Sequence, residues 1–353
     1  MSLFLPEPIF PVLRLEAALR DLRARSPRAR ANAARALPDS FTRELCDEER
    51  PPHELGAARL AAHAAHAEAL RGLRHLAMDP DGLVRGLSFI ARGRLADPGL
   101  LDEVRGSAPQ HEAETVADAW VQECRIIALA ELARFSPGPR GVERDEVLRQ
   151  VMEVLGRGSP QTRFQAVAAL ADVAPSMARD LLATHLHGEP HPRVRAQILD
   201  VLREHGDAAP TVQASAAATV AATPAEGDDE ALERFAAARL LASVSDPRGA
   251  TVLIDAVSDP ERRDDALEAL AALPSPSIPA DAVESARRLH DRRWVPAITR
   301  VRAAYLIARA VPDLGLPLLH RWGKSLRPSV REAVADAMAA LETLTRRDAP
   351  RPP

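Results

Sequence analysis

The chain reads as an all-α protein, an α-solenoid of about eight or nine helix pairs stacked in a row. Three observations predict it. Alanine supplies about a fifth of the 353 residues, far above ordinary usage, while aromatics make up 3%. A short motif recurs along the chain. Its copies keep a common period.

Alanine is the strongest helix former, and its single methyl lets two helices come close. Runs of β-branched and aromatic residues long enough for a strand are almost absent. Hydrophobic residues reach 46%, enough for a core. Helices packed through small side chains follow.

The motif is a proline, an arginine three residues later, a small or aliphatic residue at six, and a pair at nine and ten. Its copies are Pro27/Arg30/Ala33/Ala36/Leu37, Pro160/Arg163/Ala166/Ala169/Leu170 and Pro192/Arg195/Ile198/Val201/Leu202. Two more are Pro260/Arg263/Ala266/Ala269/Leu270 and Pro328/Arg331/Val334/Ala337/Met338. From 192 to 260 and from 260 to 328 is 68 residues, twice 34; from 160 to 192 is 32. Ser26, Ser159 and Asp259 precede the proline as natural N-caps. Proline fits the first helical turn, where its missing N–H costs nothing. Positions six, nine and ten then share one face, which a single helix pair cannot bury alone.

Taken in order, the first motif helix starts at Pro27. Residues 38–78 follow as an atypical unit with a long His- and Ala-rich helix. Asp79-Pro80 with Arg85, and Arg125/Ala128/Leu132, are worn copies. Partner helices are expected over 142–156, 175–187, 247–257 and 312–323, with short Pro-, Gly-, Asp- and Ser-marked turns. A second atypical unit, 207–230, reads as an Ala/Thr helix and an acidic loop. Worn copies around 236–241 and 300–307 fill the remaining gaps. One repeat array over 1–345 and a disordered tail over 346–353 complete the expected organisation.

The pattern D/S-P-x-x-R-x-x-A-x-x-A-L resembles the HEAT repeat, closest to the short bacterial type first described in phycobilisome-lyase proteins. The resemblance spans most of residues 12–344 and implies a right-handed α-solenoid. It implies a structural role for Arg30, Arg163, Arg195, Arg263 and Arg331, bridging adjacent turns. Lyase activity does not transfer, because such repeats serve many functions. The tetratricopeptide repeat shares the 34-residue period but needs recurring aromatics that this chain lacks.

The formal net charge of −4 gives no global reason to expect nucleic acid or an anionic membrane. Basic charge is almost all arginine; Lys324 is the one lysine, a bias that suggests a bacterial source. Cys46 and Cys124 are not spaced as a framework or zinc pair, so reduced thiols are expected. The apolar start lacks early Lys or Arg and is broken by Pro6, Pro8 and Pro11, unlike a signal peptide. No segment reaches membrane-span length. A cytoplasmic protein is expected.

No nucleotide-binding or hydrolase signature is present. Four weaker constellations remain. His53-Glu54 and His111-Glu112 resemble half of the four His-Glu pairs that hold iron in deoxyhypusine hydroxylase, a HEAT-like enzyme; the plain alternative is polar helix starts. His185, His187, Glu189 and His191 alternate through one turn and, with His63 and His66 on a helix, are weighed as zinc or nickel ligands. Exposed turns rarely hold metal alone, and no cofactor or metal is expected. Third, Arg287, Arg288, Arg292, Arg293, Arg300 and Arg302 surround Trp294, a set suited to phosphates and a stacked base. HEAT-like DNA glycosylases bind DNA with such residues. The plain alternative is a charged helix end with a core tryptophan.

Fourth, offsets one, five and eight from the proline point away from the core at 100° per residue. They are Arg28, Asn32 and Arg35; Gln161, Gln165 and Ala168; Arg193, Gln197 and Asp200; Glu261, Asp265 and Glu268; and Ser329, Ala333 and Asp336. In HEAT arrays the second helices line the concave face. This face therefore runs from basic (Arg28, Arg35) to acidic (Asp200, Glu261, Asp265, Glu268, Asp336). A non-catalytic scaffold is expected, taking a partner protein with a basic segment on that face. Nucleic-acid binding through 287–302 is the alternative, and a metalloenzyme the third reading.

Overall fold

The computed structural model describes residues 13–46, 50–106, 116–135, 144–206, 209–222 and 227–348. These form twenty α-helices and no strand. The chain divides into two compact units after Leu181.

The first unit contains α1 (Leu15–Asp21), α2 (Pro27–Leu45), α3 (Pro52–Leu55), α4 (Ala57–Ala62) and α5 (His66–Leu76). It continues through α6 (Gly82–Arg94), α7 (Gly99–Gly106), α8 (Val116–Ala133), α9 (Arg144–Arg157) and α10 (Pro160–Val173). Helix α11 (Pro175–His185) carries the division. The second unit contains α12 (Pro192–Glu204), α13 (Pro210–Ala221), α14 (Asp228–Ser243), α15 (Ala250–Ala256) and α16 (Arg263–Ala272). Helices α17 (Ala280–Asp291), α18 (Ala297–Ala310), α19 (Pro312–Trp322) and α20 (Pro328–Asp348) complete it.

Alternate helices stack. In the first unit α2, α6, α8 and α10 pack in succession, with α1, α5 and α9 laid against them. In the second, α12, α14, α16, α18 and α20 follow one another, each of the last four paired with the helix before it. All five motif copies lie on this stacking set. Position six is buried in every copy: Ala33, Ala166, Ile198, Ala266 and Val334. Position ten is buried in four and half-buried at Met338. Position nine is mixed, with Ala36, Ala269 and Ala337 half-buried. Position seven takes its place, burying Ala34, Val167, Leu199 and Leu267. The apolar face is turned toward seven because neighbours lie on two sides of each helix. On α20 position seven is Ala335, which is exposed; among the described residues no helix follows α20.

The motif arginine clasps the turn before its own helix. Arg30 Nη1 donates to the carbonyls of Ala24 (2.9 Å) and Arg25 (2.8 Å). Arg85, Arg195 and Arg263 reach the equivalent carbonyls five and six residues back. Arg163 and Arg331 each reach one. The other edge of the guanidinium serves the next layer. Arg30 forks onto Asp79 at 2.7 and 2.9 Å, and Arg195 onto Glu233 at 2.8 and 2.7 Å. Arginine alone supplies a planar fork for both tasks.

Acid–proline dipeptides shape the turns. Asp79, Asp97, Glu189, Asp246 and Asp259 each precede proline and accept the N–H two residues on, at 2.9–3.0 Å. Asp97 is fully buried, held by Arg74 and by Arg92 Nε at 2.8 Å; Arg92 also reaches Glu103 at 2.6 Å. Burial pushes the Asp97 carboxyl up, but the two guanidinium partners outweigh it and hold it below its ordinary range.

Several expectations need correction. The long helix over 38–78 is broken: α2 runs to Leu45, and α3, α4 and α5 follow. Gly56 at φ 79° makes one of the breaks. Helix α16 begins at Arg263, so Pro260 and Glu261 sit in the preceding turn. Pro247–Gly249 is a 3-10 turn ahead of α15. Residues 346–348 of the expected tail belong to α20, and the rest lies outside the described residues, as does His111-Glu112.

Candidate binding surface

The acidic face is built from five residues of unequal standing. Asp200 on α12 pairs with Arg239 of α14 at 3.0 Å, and Asp265 on α16 pairs with the same guanidinium at 3.5 Å. The neighbouring Asp264 pairs with Arg302 of α18 at 2.5 Å. Charges therefore alternate across α12, α14, α16 and α18 instead of forming one acidic strip. Burial pushes the Asp200 carboxyl above its ordinary value, with Arg239 and Arg203 opposing. Glu268 and Asp336 are exposed without an ion pair among the described residues, as is Glu261 in its turn. Arg28 is exposed on α2, and Arg35 is exposed and engaged in a contact. Position five is half-buried in every copy and so does not point wholly away from the core.

The histidine turn does not gather ligands. His185 Nε2 lies 3.2 Å from Glu189 Oε2, while His187 is exposed and Glu189 accepts the His191 N–H. Among the described residues no three His, Cys, Asp or Glu side chains stand where they could hold a metal. The turn instead walls an open cleft of about 620 Å³, with Thr211, Ser215 and Thr219 of α13 opposite and Arg195–Glu233 at its floor. Arg195 gives four of its five guanidinium N–H groups to Glu233 and to two carbonyls, so its charge is already matched by an acid. His66 Nε2 donates to the Leu95 carbonyl (2.8 Å), and both His66 and His63 meet the Phe41 ring edge-on.

The arginine–tryptophan segment divides in two. Arg300 is structural: its Nε donates to the His290 carbonyl at 2.7 Å and its guanidinium lies 4.7 Å over the Trp322 ring. Trp322 donates its indole N–H to His290 Nε2 at 3.0 Å, which leaves the His290 proton on Nδ1, facing Asp291. Arg302 is taken by Asp264, and Arg288 lies 3.8 Å from Glu284. Arg287, Arg292 and Arg293 are exposed and without an acid partner among the described residues. Trp294 is 70% exposed, on the turn between α17 and α18, with Arg292 5.4 Å over its ring. Trp120 and Trp322 are half-buried.

Trp294 thus leaves an indole in water beside guanidinium groups that have no acid partner among the described residues. No protein-family model matches the chain, and no curated protein matches it. No helix among the described residues is long and apolar enough to cross a membrane. The basic end of the surface extends past the predicted segment, to Arg321, Lys324 and Arg327, all exposed. Sequence reasoning missed these three, because only packing shows which turns are neighbours.

Proposed function

We propose that the chain is a non-catalytic interaction scaffold, a HEAT-like α-solenoid that holds a partner protein on the exposed surface of its stacked helices. The observation that carries this reading is Trp294. A tryptophan 70% exposed forgoes burial worth about 1.5–3 kcal/mol, a loss that a binding partner restores. The working surface is then the turn 292–296, with the unpaired Glu261, Glu268 and Asp336 as a secondary, acidic surface for a basic segment.

The test is capture of partners from the native host, with the chain as bait. Replacing Arg292 and Arg293 by Gln and Trp294 by Ala should remove the captured protein at unchanged melting temperature. Replacing Glu261 and Glu268 by Gln and Asp336 by Asn should weaken capture less and mainly slow association. A captured set indifferent to both variants would refute this reading.

The Arg292–Trp294 stack supports a second reading, in which phosphates and a base occupy the same turn. Binding of a labelled single-stranded oligonucleotide, with affinity falling steeply as salt rises, would favour it over a protein partner.

A further inference from the structure

Two neighbouring turns of the second unit present the same design. Trp294 stands two residues before Pro296, and Leu326 two residues before Pro328. Leu326 is 95% exposed and Ile298, the second residue of α18, is 39% exposed. The two turns are side by side because the helices that lead into them touch at their ends. His290 of α17 accepts from Trp322 of α19, their rings meet edge-on, and Arg300 closes over Trp322. Around the two apolar tips stand Arg292, Arg293, Arg321, Lys324 and Arg327, all exposed and none paired with an acid among the described residues. Helix C-termini attract a cation each through their partial negative charge. That accounts for two of the five and for neither apolar tip.

We propose that this paired-turn edge docks an acidic protein segment whose own apolar side chains cover Trp294 and Leu326. The inference rests on the scaffold reading above and adds the second turn and the chemistry of the partner. Two apolar tips on adjacent turns call for two apolar side chains on one face of the partner. Residues seven apart on a helix are about 10.5 Å apart along its axis, and flanking carboxylates would meet the five cations. Nucleic acid fits less well, because Leu326 and Ile298 offer neither a stacking face nor a hydrogen bond.

The probe is a synthetic helical peptide with two leucines seven residues apart among glutamates. Its binding is read as protection of Trp294 emission from iodide quenching, with Trp294→Phe as the baseline. Protection by this peptide, lost on exchanging its leucines for serine and weakened roughly tenfold by Leu326→Ser, is the expected result. Leu326 is almost wholly in solvent, so its replacement leaves the fold intact. Equal protection by the serine peptide, by oligothymidylate or by phosphatidylserine vesicles would overturn the proposal, as would an unchanged affinity of Leu326→Ser. Loss of native-host capture in the Trp294→Ala variant, with no binding of the peptide, would leave the scaffold reading standing and end this one.

Discussion

Ser245 holds φ at 66° and Ala96 at 56°, the left-handed region that side chains avoid. Both follow the last turn of a helix, and in both the next N–H reaches back to the helix: Asp246 to the Leu241 carbonyl at 2.9 Å, Asp97 to Arg92 at 3.0 Å. Glycine would relieve the strain, so Ser245→Gly should stabilise the protein by about 1 kcal/mol in thermal or urea unfolding. Asp79 gives a pH signature. Burial pushes its carboxyl up, but Arg30 and the Asp81 N–H hold it below its ordinary value. Such a group stabilises the fold fully above its unfolded pKa of about 3.9, and the contribution disappears as pH falls through the lower, folded value. Melting temperature should therefore drop below about pH 4. In Asp79→Asn that acid-side slope should be shallower, and stability at pH 7 lower, since Arg30 loses its carboxylate partner.

Two helices can approach only as closely as their smallest side chains allow. At Gly315 a Cβ would come within 2.1 Å of the Ala308 backbone nitrogen, where α19 crosses α18. Backbone cannot step aside, so Gly315→Ala should destabilise by about 1–3 kcal/mol, measured by urea unfolding, although alanine is the better helix former. The arginine clasp makes an equally specific claim. Arg263 is buried and spans the carbonyls of Val257 and Ser258 at 3.0 and 3.2 Å. An ammonium cannot span both, so Arg263→Lys should cost about 1–2 kcal/mol, despite the kept charge. The elements were legible to different degrees. Motif helices were, because proline, arginine and position six report on the helix's own start, turn and inner face. The breaks between 46 and 65 were not, because an Ala- and His-rich run carries no periodic apolar face to mark them. Position seven was missed because burial there depends on a neighbouring repeat.

At the scale of the molecule, far-UV circular dichroism should show helix with negligible strand. Leu170→Asp in the first unit and Leu270→Asp in the second each put a charge on a fully buried position ten, and each should destabilise by several kcal/mol. A variant melting like the parent would show that the buried face is misassigned. The proposed binding surface was half legible. Arg292, Arg293 and Trp294 were found because arginine beside an aromatic stands out in a chain with three tryptophans. Which arginines are free was not, because Asp264 and the His290 carbonyl, which occupy Arg302 and Arg300, come from other helices. The acidic face was overread for the same reason: Arg239, thirty-nine residues from Asp200, neutralises it.

The residue bias that left this chain with a single lysine placed that lysine, Lys324, on the exposed turn beside Leu326. Among side chains, an amine-directed reagent therefore has one address, and it is on the proposed docking edge. A carbodiimide or a short amine-to-carboxyl cross-linker would join this protein to an acidic neighbour through a known atom, Lys324 Nζ. The same position is a single point of attachment for a fluorophore or a solid support. Immobilised through it, the protein would present its helix faces freely while its basic edge was blocked.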